Sequence, residues 1–344
     1  DVYKRQVDVG STTIKIVIID SLFQIIYKAY RRHQANIQQS FEEELLKVVS
    51  LYPETEFCIN ITGSAGMGIG ERIGIEFVQE VVAAVEVVNK VYPETHTLID
   101  LGGEDAKMVF FKQGKHPDIR MNGSCAGGTG AFIDQMANLM NISTEELGKK
   151  ALLCEKTYPI ASRCGVFAKT DVQNLISRNI PVSDISGSIL HAVALQSVTT
   201  LARGCDITPK ILCIGGPLTF LPALRNAFRS VLKISEEDLT VPENGEYFPA
   251  WGAALFESKQ TIYHDLNTLL AKSENNISTQ KDSLPALFKD ENEYRTWKLN
   301  RKIKPLKFRK LKNNDKIECF LGIDSGSTTT KIVIMDAEAN ILYT

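Results

Sequence analysis

The chain has 344 residues, of which 44% are hydrophobic and 23% are charged, and its formal net charge at pH 7 is −2. This length allows about two domains, and this composition is typical of a soluble globular protein. The nearly balanced charge argues against nucleic acid or an anionic membrane as the main partner, and no apolar run reaches the roughly 18 residues that span a bilayer. Seven cysteines without regular spacing do not indicate a secreted disulfide framework, so we expect a cytoplasmic protein. The first six residues lack an initiator methionine and a signal-peptide pattern, and we expect them to be the edge of a gene fragment.

The chain opens with a predicted strand, a tight turn and a second strand within residues 7–20. The turn offers backbone N–H groups and hydroxyls that can surround phosphate oxygens, from Gly10, Ser11, Thr12 and Thr13. Asp8 ends the first strand, where its carboxylate can hold a hydrated Mg²⁺, and Lys15 follows within reach of a phosphate. Taken alone, an ordinary structural hairpin explains this pattern equally well.

The next segment predicts two helices and a strand. We expect a helix over residues 41–51 and a strand over residues 57–62 that ends in a flexible, glycine-rich loop at residues 63–68. A helix rich in Val and Ala should follow over residues 79–91.

Residues 97–111 repeat the opening order of strand, acid, glycine turn and strand. A second hairpin of this kind indicates two lobes that close on one nucleotide, with Gly102 and Gly103 facing the phosphates. Asp100 would face the metal or an attacking water, and Glu104 could orient that water. For Glu104, an ordinary exposed carboxylate is an equal alternative.

Two cysteines stand before helical patterns. Cys125 lies in a glycine-rich turn, and a helix that begins near Gly128 would direct free N–H groups and its positive dipole end toward this thiol. Cys164 precedes a second helix in the same way. Such surroundings favour a thiolate, which acts as a nucleophile or a metal ligand. The alternative for both residues is a structural thiol at a turn.

The remainder of this region predicts three helices and one strand. We expect a polar helix at residues 143–153, a long apolar helix at 188–202 and a helix of small residues within 242–254. The strand at residues 210–214 ends in a turn that can lie flat against an adenosine, formed by Gly215, Gly216 and Pro217.

Residues 259–316 differ in composition, because they are polar and non-periodic and end in a basic run. Residues 298–316 hold nine Lys or Arg against one Asp, which favours a solvated linker over a docking surface. Residues 324–336 then match residues 8–20 at ten of thirteen positions, an internal repeat of the opening hairpin. Since one hairpin cannot form a domain, we expect residues 317–344 to be the truncated start of a second copy of the fold.

Together these motifs resemble the acetate and sugar kinase/Hsp70/actin superfamily. More closely, they resemble its BadF/BadG/BcrA/BcrD-type ATPases, the activators of 2-hydroxyacyl-CoA dehydratases and benzoyl-CoA reductases. The resemblance covers residues 7–258, and its combination of motifs is more specific than any one of them. These motifs lie at residues 8–15, 100–107, 122–130, 163–168 and 214–217.

The resemblance implies a duplicated ribonuclease H-like α/β fold with two lobes, each a mixed β-sheet flanked by helices. The first lobe would span residues 1–95 and the second, with the cluster-binding loops, residues 96–258; residues 317–344 would begin a second ATPase-like domain. The implied cofactors are ATP or ADP, Mg²⁺ and a [4Fe–4S] cluster shared across a homodimer or pseudo-dimer through Cys125 and Cys164.

The implied function is an ATP-dependent electron-transfer activator. Its electron donor would be a ferredoxin or flavodoxin, and its acceptor an acyl-CoA dehydratase or a benzoyl-CoA reductase-type protein. The sequence departs from the pattern of the smaller activators at two places. Glu104 stands where those activators usually carry Gln, and a repeat such as that at Asp324 is found in the longer multidomain members of the family. Two alternatives stay open, a sugar or carboxylate kinase of the same superfamily without a cluster and an actin-like nucleotide-binding scaffold.

Overall fold

The structure is a computed structural model, which describes residues 3–53, 57–112, 114–122, 127–162, 164–256, 262–263, 286–301, 306–311, 316–325 and 330–344. The chain divides into two units, Asp1–Thr279 and Gln280–Thr344. None of the helices in the described ranges combines the length and the apolar character that a membrane crossing needs. The predicted cluster ligand Cys125 lies outside the described residues.

The described strands of the first unit form two sheets. They are β1 (Tyr3–Val9), β2 (Thr13–Ile19), β3 (Ile25–Arg32), β4 (Phe57–Thr62), β5 (Glu76–Phe77), β6 (Thr97–Leu101), β7 (Ala106–Phe110), β8 (Asp118–Asn122), β9 (Ile211–Ile214), β10 (Leu239–Thr240) and β11 (Ile262–Tyr263). The helices of this unit are α1 (Ile37–Leu51), α2 (Gly66–Ile73), α3 (Glu80–Val91), α4 (Gly130–Leu139), α5 (Thr144–Ala151), α6 (Gly165–Ser177), α7 (Val182–Leu201), α8 (Gly216–Phe220), α9 (Pro222–Leu232) and α10 (Phe248–Leu255).

Four strands of each sheet share one topology. The first has the order β11-β4-β1-β2-β3 with β5 beside β4, and the second has the order β10-β9-β6-β7-β8. In each, three consecutive strands form an antiparallel meander, and a later strand pairs in parallel with the first strand of that meander. The predicted α/β fold with two mixed sheets flanked by helices is therefore confirmed.

Alternating residues of β2 face two different cores. Ile14, Ile16 and Ile18 pack with α1 and α2, whereas Val17 and Ile19 pack with α3 and α10. The core around α3 and α10 also contains residues of β6, β7 and β9 in the second sheet. These two helices thus lie between the sheets, and strands covered on both faces read as continuous apolar runs.

Three predicted elements differ from the structure. The loop expected at residues 63–68 becomes helical from Gly66, because Gly66 and Gly70 let α2 lie directly on Ile61 of β4. Helix α1 begins four residues before the predicted start at Phe41, since it begins at Ile37. Helix α7 begins at Val182 rather than at residue 188, and buried polar residues of its first turns make this start look like a loop in the sequence.

The second unit is described by one helix and three strands. They are α11 (Glu291–Asn300), which has no buried residue and falls in the predicted linker, and an antiparallel sheet of β12 (Cys319–Ser325), β13 (Thr330–Asp336) and β14 (Ile341–Tyr343). Asp324 faces Lys331 across β12 and β13, as Asp8 faces Lys15 across β1 and β2. The repeat found in the sequence therefore has the same strand register in both places.

The closest approach between α3 and α10 predicts an effect on stability. A Cβ atom on Gly252 would lie 1.7 Å from the carbonyl oxygen of Ala83. Gly252→Ala must therefore force the two helices apart, and we expect it to lower the free energy of unfolding by at least about 2 kcal/mol. Urea denaturation followed by circular dichroism measures this loss.

Gly68→Ala is the matched control, because Gly68 is helical and a Cβ there meets nothing within 4 Å. It should change stability by no more than about 1 kcal/mol, in the stabilising direction. Equal stability of the two variants would show that the middle layer is not tightly packed.

Candidate nucleotide site

A cavity of about 390 Å³ lies among the turns of the two sheets, a volume typical of small-molecule sites. Nine residues predicted to act at the site line it: Thr12, Thr13, Lys15, Asp100, Gly102, Gly103, Gly215, Gly216 and Pro217. Four others do not: Asp8, Gly10, Ser11 and Glu104. Asp8 is fully buried behind the lining, whereas Glu104 is exposed to solvent.

The first hairpin joins a rigid turn to a buried ion pair. The Gly10 N–H donates to the Thr13 carbonyl at 2.9 Å, and the His33 N–H donates to the Thr12 carbonyl at 3.2 Å. Below this turn, the Lys15 Nζ lies 2.8 Å from Asp8 Oδ2. Burial alone would lower the pKa of the Lys15 ammonium, but the charge of Asp8 and its hydrogen bond outweigh it and raise that pKa.

The second hairpin repeats this arrangement with more carboxylates. Asp100 and Lys107 are opposite in the register of β6 and β7, as Asp8 and Lys15 are in β1 and β2. The side chain of Lys107 is 2% exposed, and its Nζ lies 2.8 Å from Asp105 Oδ2, 3.3 Å from Glu80 Oε1 and 3.8 Å from Asp100 Oδ2. Burial raises the pKa of Asp100 even though Lys107 opposes that shift.

Glu80, which the sequence did not single out, is the first residue of α3 and lines the cavity. Burial raises the pKa of its carboxyl to about 7, against the opposing charge of Lys107. Nothing in the sequence distinguished Glu80, because acidic residues are common in the first turn of any helix. Other lining residues that sequence reasoning missed are Tyr30, Arg32, Asp134, Thr144, Glu145, Phe220 and Glu246.

Unpaired carboxylate oxygens make the base of the cavity suitable for a cation. Asp8 Oδ1, Asp100 Oδ2 and Glu246 Oε2 are each buried without a hydrogen-bond partner among the described residues. A buried carboxylate oxygen is costly unless it is paired or binds a metal, and Mg²⁺ prefers oxygen ligands and retains several waters. Two of these residues, Asp8 and Asp100, are the predicted Mg²⁺ ligands, and their oxygens are of the kind that Mg²⁺ prefers.

Glycine residues allow the turns of the two hairpins and the turn at residues 215–217 to approach each other closely. A Cβ on Gly103 would lie 2.6 Å from Thr12 Oγ1, so the turns of the two hairpins are in contact. Gly215 has φ +91°, and a Cβ there would lie 2.1 Å from the Leu101 carbonyl oxygen. Glycine is required at residue 215, where a Cβ would meet backbone, whereas a side chain at residue 103 would have to displace the Thr12 side chain.

The start of α4 differs from the prediction. The N–H groups of Gly130 and Ala131 donate to the carbonyls of Gly102 at 3.0 Å and Gly103 at 2.7 Å. The first N–H groups of this helix are thus bonded to the turn of the second hairpin and are not free. The predicted orientation of free N–H groups toward Cys125 is wrong for these two residues.

Cys164 immediately precedes α6, and its thiol is half-buried and forms no disulfide. A Cβ on Gly165 would lie 3.9 Å from the Phe132 ring, so the first turn of α6 lies beside α4. The described residues contain no group of three or more His, Cys, Asp or Glu side chains that could hold a metal ion. A half-buried thiol at a helix start fits one ligand of a cluster, with the other ligands supplied from elsewhere.

The buried charges predict a specific loss of stability. Lys107→Met leaves three carboxylates without their cation, so we expect it to lower the free energy of unfolding by about 3 kcal/mol or more. Lys150→Met removes the half-exposed pair with Glu146 on α5 and should cost about 0.5 kcal/mol or less. Urea denaturation without nucleotide measures both, and similar losses would contradict the buried cluster.

Known proteins resemble the chain over this whole region. Residues 7–257 match the BadF/BadG/BcrA/BcrD ATPase family. The 2-hydroxyisocaproyl-CoA dehydratase activator of Clostridioides difficile is 28% identical over 263 residues, which cover 74% of this chain and 94% of that protein. The (R)-2-hydroxyglutaryl-CoA dehydratase activating ATPase of Acidaminococcus fermentans is 28% identical over 262 residues, which cover 75% and 98%.

Two solved structures of such activators have the same overall fold as this chain. The crystal structure of component A of the Acidaminococcus fermentans (R)-2-hydroxyglutaryl-CoA dehydratase has a TM-score of 0.66 at 27% identity and covers 74% of this chain and 97% of its own. The Clostridium difficile activator of 2-hydroxyisocaproyl-CoA dehydratase, solved with bound ADPNP, has a TM-score of 0.63 at 26% identity and covers 82% and 100%. With a match over more than two thirds of its length, the chain belongs to the BadF/BadG/BcrA/BcrD ATPase family.

Proposed function

We propose that this chain is an ATP-hydrolysing activator of an acyl-CoA dehydratase or a benzoyl-CoA reductase-type protein. Relatives that are named as activators of such dehydratases support the partner class. The observation that carries the proposal is the cavity between the two Asp–Lys hairpins. The second hairpin is hydrogen-bonded to α4, the helix that follows Cys125, so a nucleotide in the cavity would be linked to the cysteine segments.

In this proposal the turn residues bind ATP or ADP. Thr12 and Thr13, in the same turn as Gly10 and Ser11, face the phosphates together with Gly102 and Gly103. Lys15 contributes positive charge, and residues 215–217 lie against the adenosine. Asp8 and Asp100 hold hydrated Mg²⁺ through the oxygens that accept no hydrogen bond from the described residues. Glu104 could orient the attacking water only if its exposed side chain turned toward the cavity.

The proposal assigns Cys125 and Cys164 to a [4Fe–4S] cluster shared with their counterparts in a homodimer or in a pseudo-dimer of two domains. When bound, such a cluster supplies a low-potential one-electron carrier between a ferredoxin or flavodoxin and the acyl-CoA enzyme. Val166 and Phe167, which directly follow Cys164, are 73% and 63% exposed and would offer apolar surface to the second copy.

Nucleotide binding would reach the cysteine segments through backbone hydrogen bonds. A movement of the Gly102–Gly103 turn displaces the acceptors of the Gly130 and Ala131 N–H groups, and α4 must follow or lose both bonds. ATP and ADP can drive such a movement only if they bind the two arrangements with different affinities.

Anaerobic purification with two variants tests this function. The wild-type chain should be brown and oxygen-labile, contain iron and sulfide, and hydrolyse ATP. Cys164→Ser should lose iron but still bind ADP, because Cys164 is absent from the cavity lining. Asp100→Asn should keep the iron while ATP hydrolysis falls by about 100-fold.

A colourless protein that phosphorylates a sugar or a carboxylate would instead establish a kinase. A chain that binds nucleotide but lacks iron and activates no acyl-CoA enzyme would establish a scaffold. Either result would exclude electron transfer by this chain.

We further propose the predicted domain organisation, with lobes at residues 1–95 and 96–258, a linker at 259–316 and a second ATPase-like domain that begins at 317. Support comes from the sheet of the second unit, where Ile323, Ile332 and Val333 are 62%, 42% and 36% exposed. The matching residues of the first hairpin, Val7, Ile16 and Val17, are all buried. Apolar strands of this kind normally need covering elements on both faces.

Gel filtration with iron quantitation tests this organisation on the longest natural form of the protein. If two domains of one chain form the pseudo-dimer, a monomeric chain should carry one complete cluster. A cluster that is found only in a dimer of chains would contradict this arrangement and would support the homodimer.

A further inference from the structure

One ion pair crosses the cavity between the two halves of the first unit. Arg32, the last residue of β3 in the first sheet, places its Nη1 3.3 Å from Oδ2 of Asp134 in α4, which packs on the second sheet. Both side chains line the cavity. Neither residue has a role in the nucleotide or metal binding proposed for this chain.

Both ends of this pair are attached to elements that face the cavity. Arg32 is directly opposite Thr13 in the strand register, so its backbone lies beside the turn of the first hairpin. The other carboxylate oxygen of Asp134 accepts a hydrogen bond from the Thr144 hydroxyl of α5, which fixes the carboxylate. Asp134 also lies about one turn after the N–H groups that bond the second hairpin.

The cavity measures about 390 Å³ while this pair is formed. That volume lies within the range of small-molecule sites, so space for a ligand is present while Arg32 and Asp134 are paired. Arg32 and Asp134 come from opposite sides of the cavity, so they must separate whenever the two sides move apart to release a ligand. This geometry favours a closing contact over a competitor for the phosphates.

We propose that Arg32 and Asp134 form a clasp that closes the cavity over bound nucleotide and sets the rate at which ADP leaves. The clasp rests on the proposed function to the extent that the ligand is ADP or ATP. The side chains are 62% and 31% exposed. Exposed ion pairs contribute little, so the expected effect on the release rate is about twofold to fivefold.

The test measures the dissociation rate of a fluorescent ADP analogue by stopped flow on the full chain. Arg32→Gln and Asp134→Asn should each speed release by about twofold to fivefold, and the double variant should be no faster than the faster single variant. The exchanged pair, Arg32→Asp with Asp134→Arg, should restore slow release. High salt should speed release from the wild type but not from Asp134→Asn.

Lys210→Gln is the matched control, because it breaks the exposed Lys210–Glu94 pair, at 2.5 Å, and neither residue lines this cavity. It should leave the release rate unchanged. If only Asp134→Asn speeds release, Asp134 binds the nucleotide directly and the clasp is overturned. Additive single effects, or wild-type release rates in both single variants, also overturn it.

The clasp and the proposed function fail in different ways. A wild-type chain that binds no ADP overturns both. A chain that hydrolyses ATP and contains iron, but whose Arg32 and Asp134 variants release ADP at the wild-type rate, overturns the clasp alone. Circular dichroism of each variant confirms that a changed rate does not come from unfolding.

Discussion

Buried opposite charges at the base of the cavity are the constraint on which the rest of the structure depends. Moving an isolated charge out of water costs several kcal/mol, so such groups persist in a protein interior only when they are paired. Here Lys15 stands opposite Asp8, and Lys107 opposite Asp100, at equivalent positions of two hairpins. Strand pairing therefore forms these contacts without ordering any further loop. Some of the carboxylate oxygens accept no hydrogen bond from the described residues and could take a cation as a further partner.

The layer between the sheets connects this charged base to the whole first unit. Helix α3 begins at Glu80 beside Lys107 and later passes α10 so closely that only glycine fits at residue 252. Its apolar face belongs to the same core as residues of both sheets. Closely packed cores resist gradual deformation. If one sheet shifts relative to the other, α3 and α10 must therefore move as well. Helices α3 and α10 thus connect the two lobes through one shared core.

Helix α4 is the element that joins the nucleotide cavity to the cysteine segments. Its first N–H groups bond the turn at Gly102 and Gly103, Asp134 reaches Arg32 of the other sheet, and Phe132 contacts the start of α6. One helix therefore receives contacts from the second hairpin, from β3 of the first sheet and from the segment after Cys164. Direct contacts through α4 thus connect the cavity to the start of α6.

The sequence by itself determined the hairpins, because a glycine turn between two apolar strands sets the register that places Asp100 opposite Lys107. It did not determine which distant charges converge on them: Glu80 looks like any acid in a first helical turn, and Arg31 and Arg32 look alike. Only the tertiary structure decided that Arg31 pairs with Glu43 of α1, at 2.6 Å, whereas Arg32 reaches across the cavity. Neighbouring residues of a strand point to opposite faces, and what each face meets depends on segments far away in the chain. The start of α4 is a second example. Its first N–H groups bond to the carbonyls of Gly102 and Gly103, because tertiary packing places that turn beside the helix.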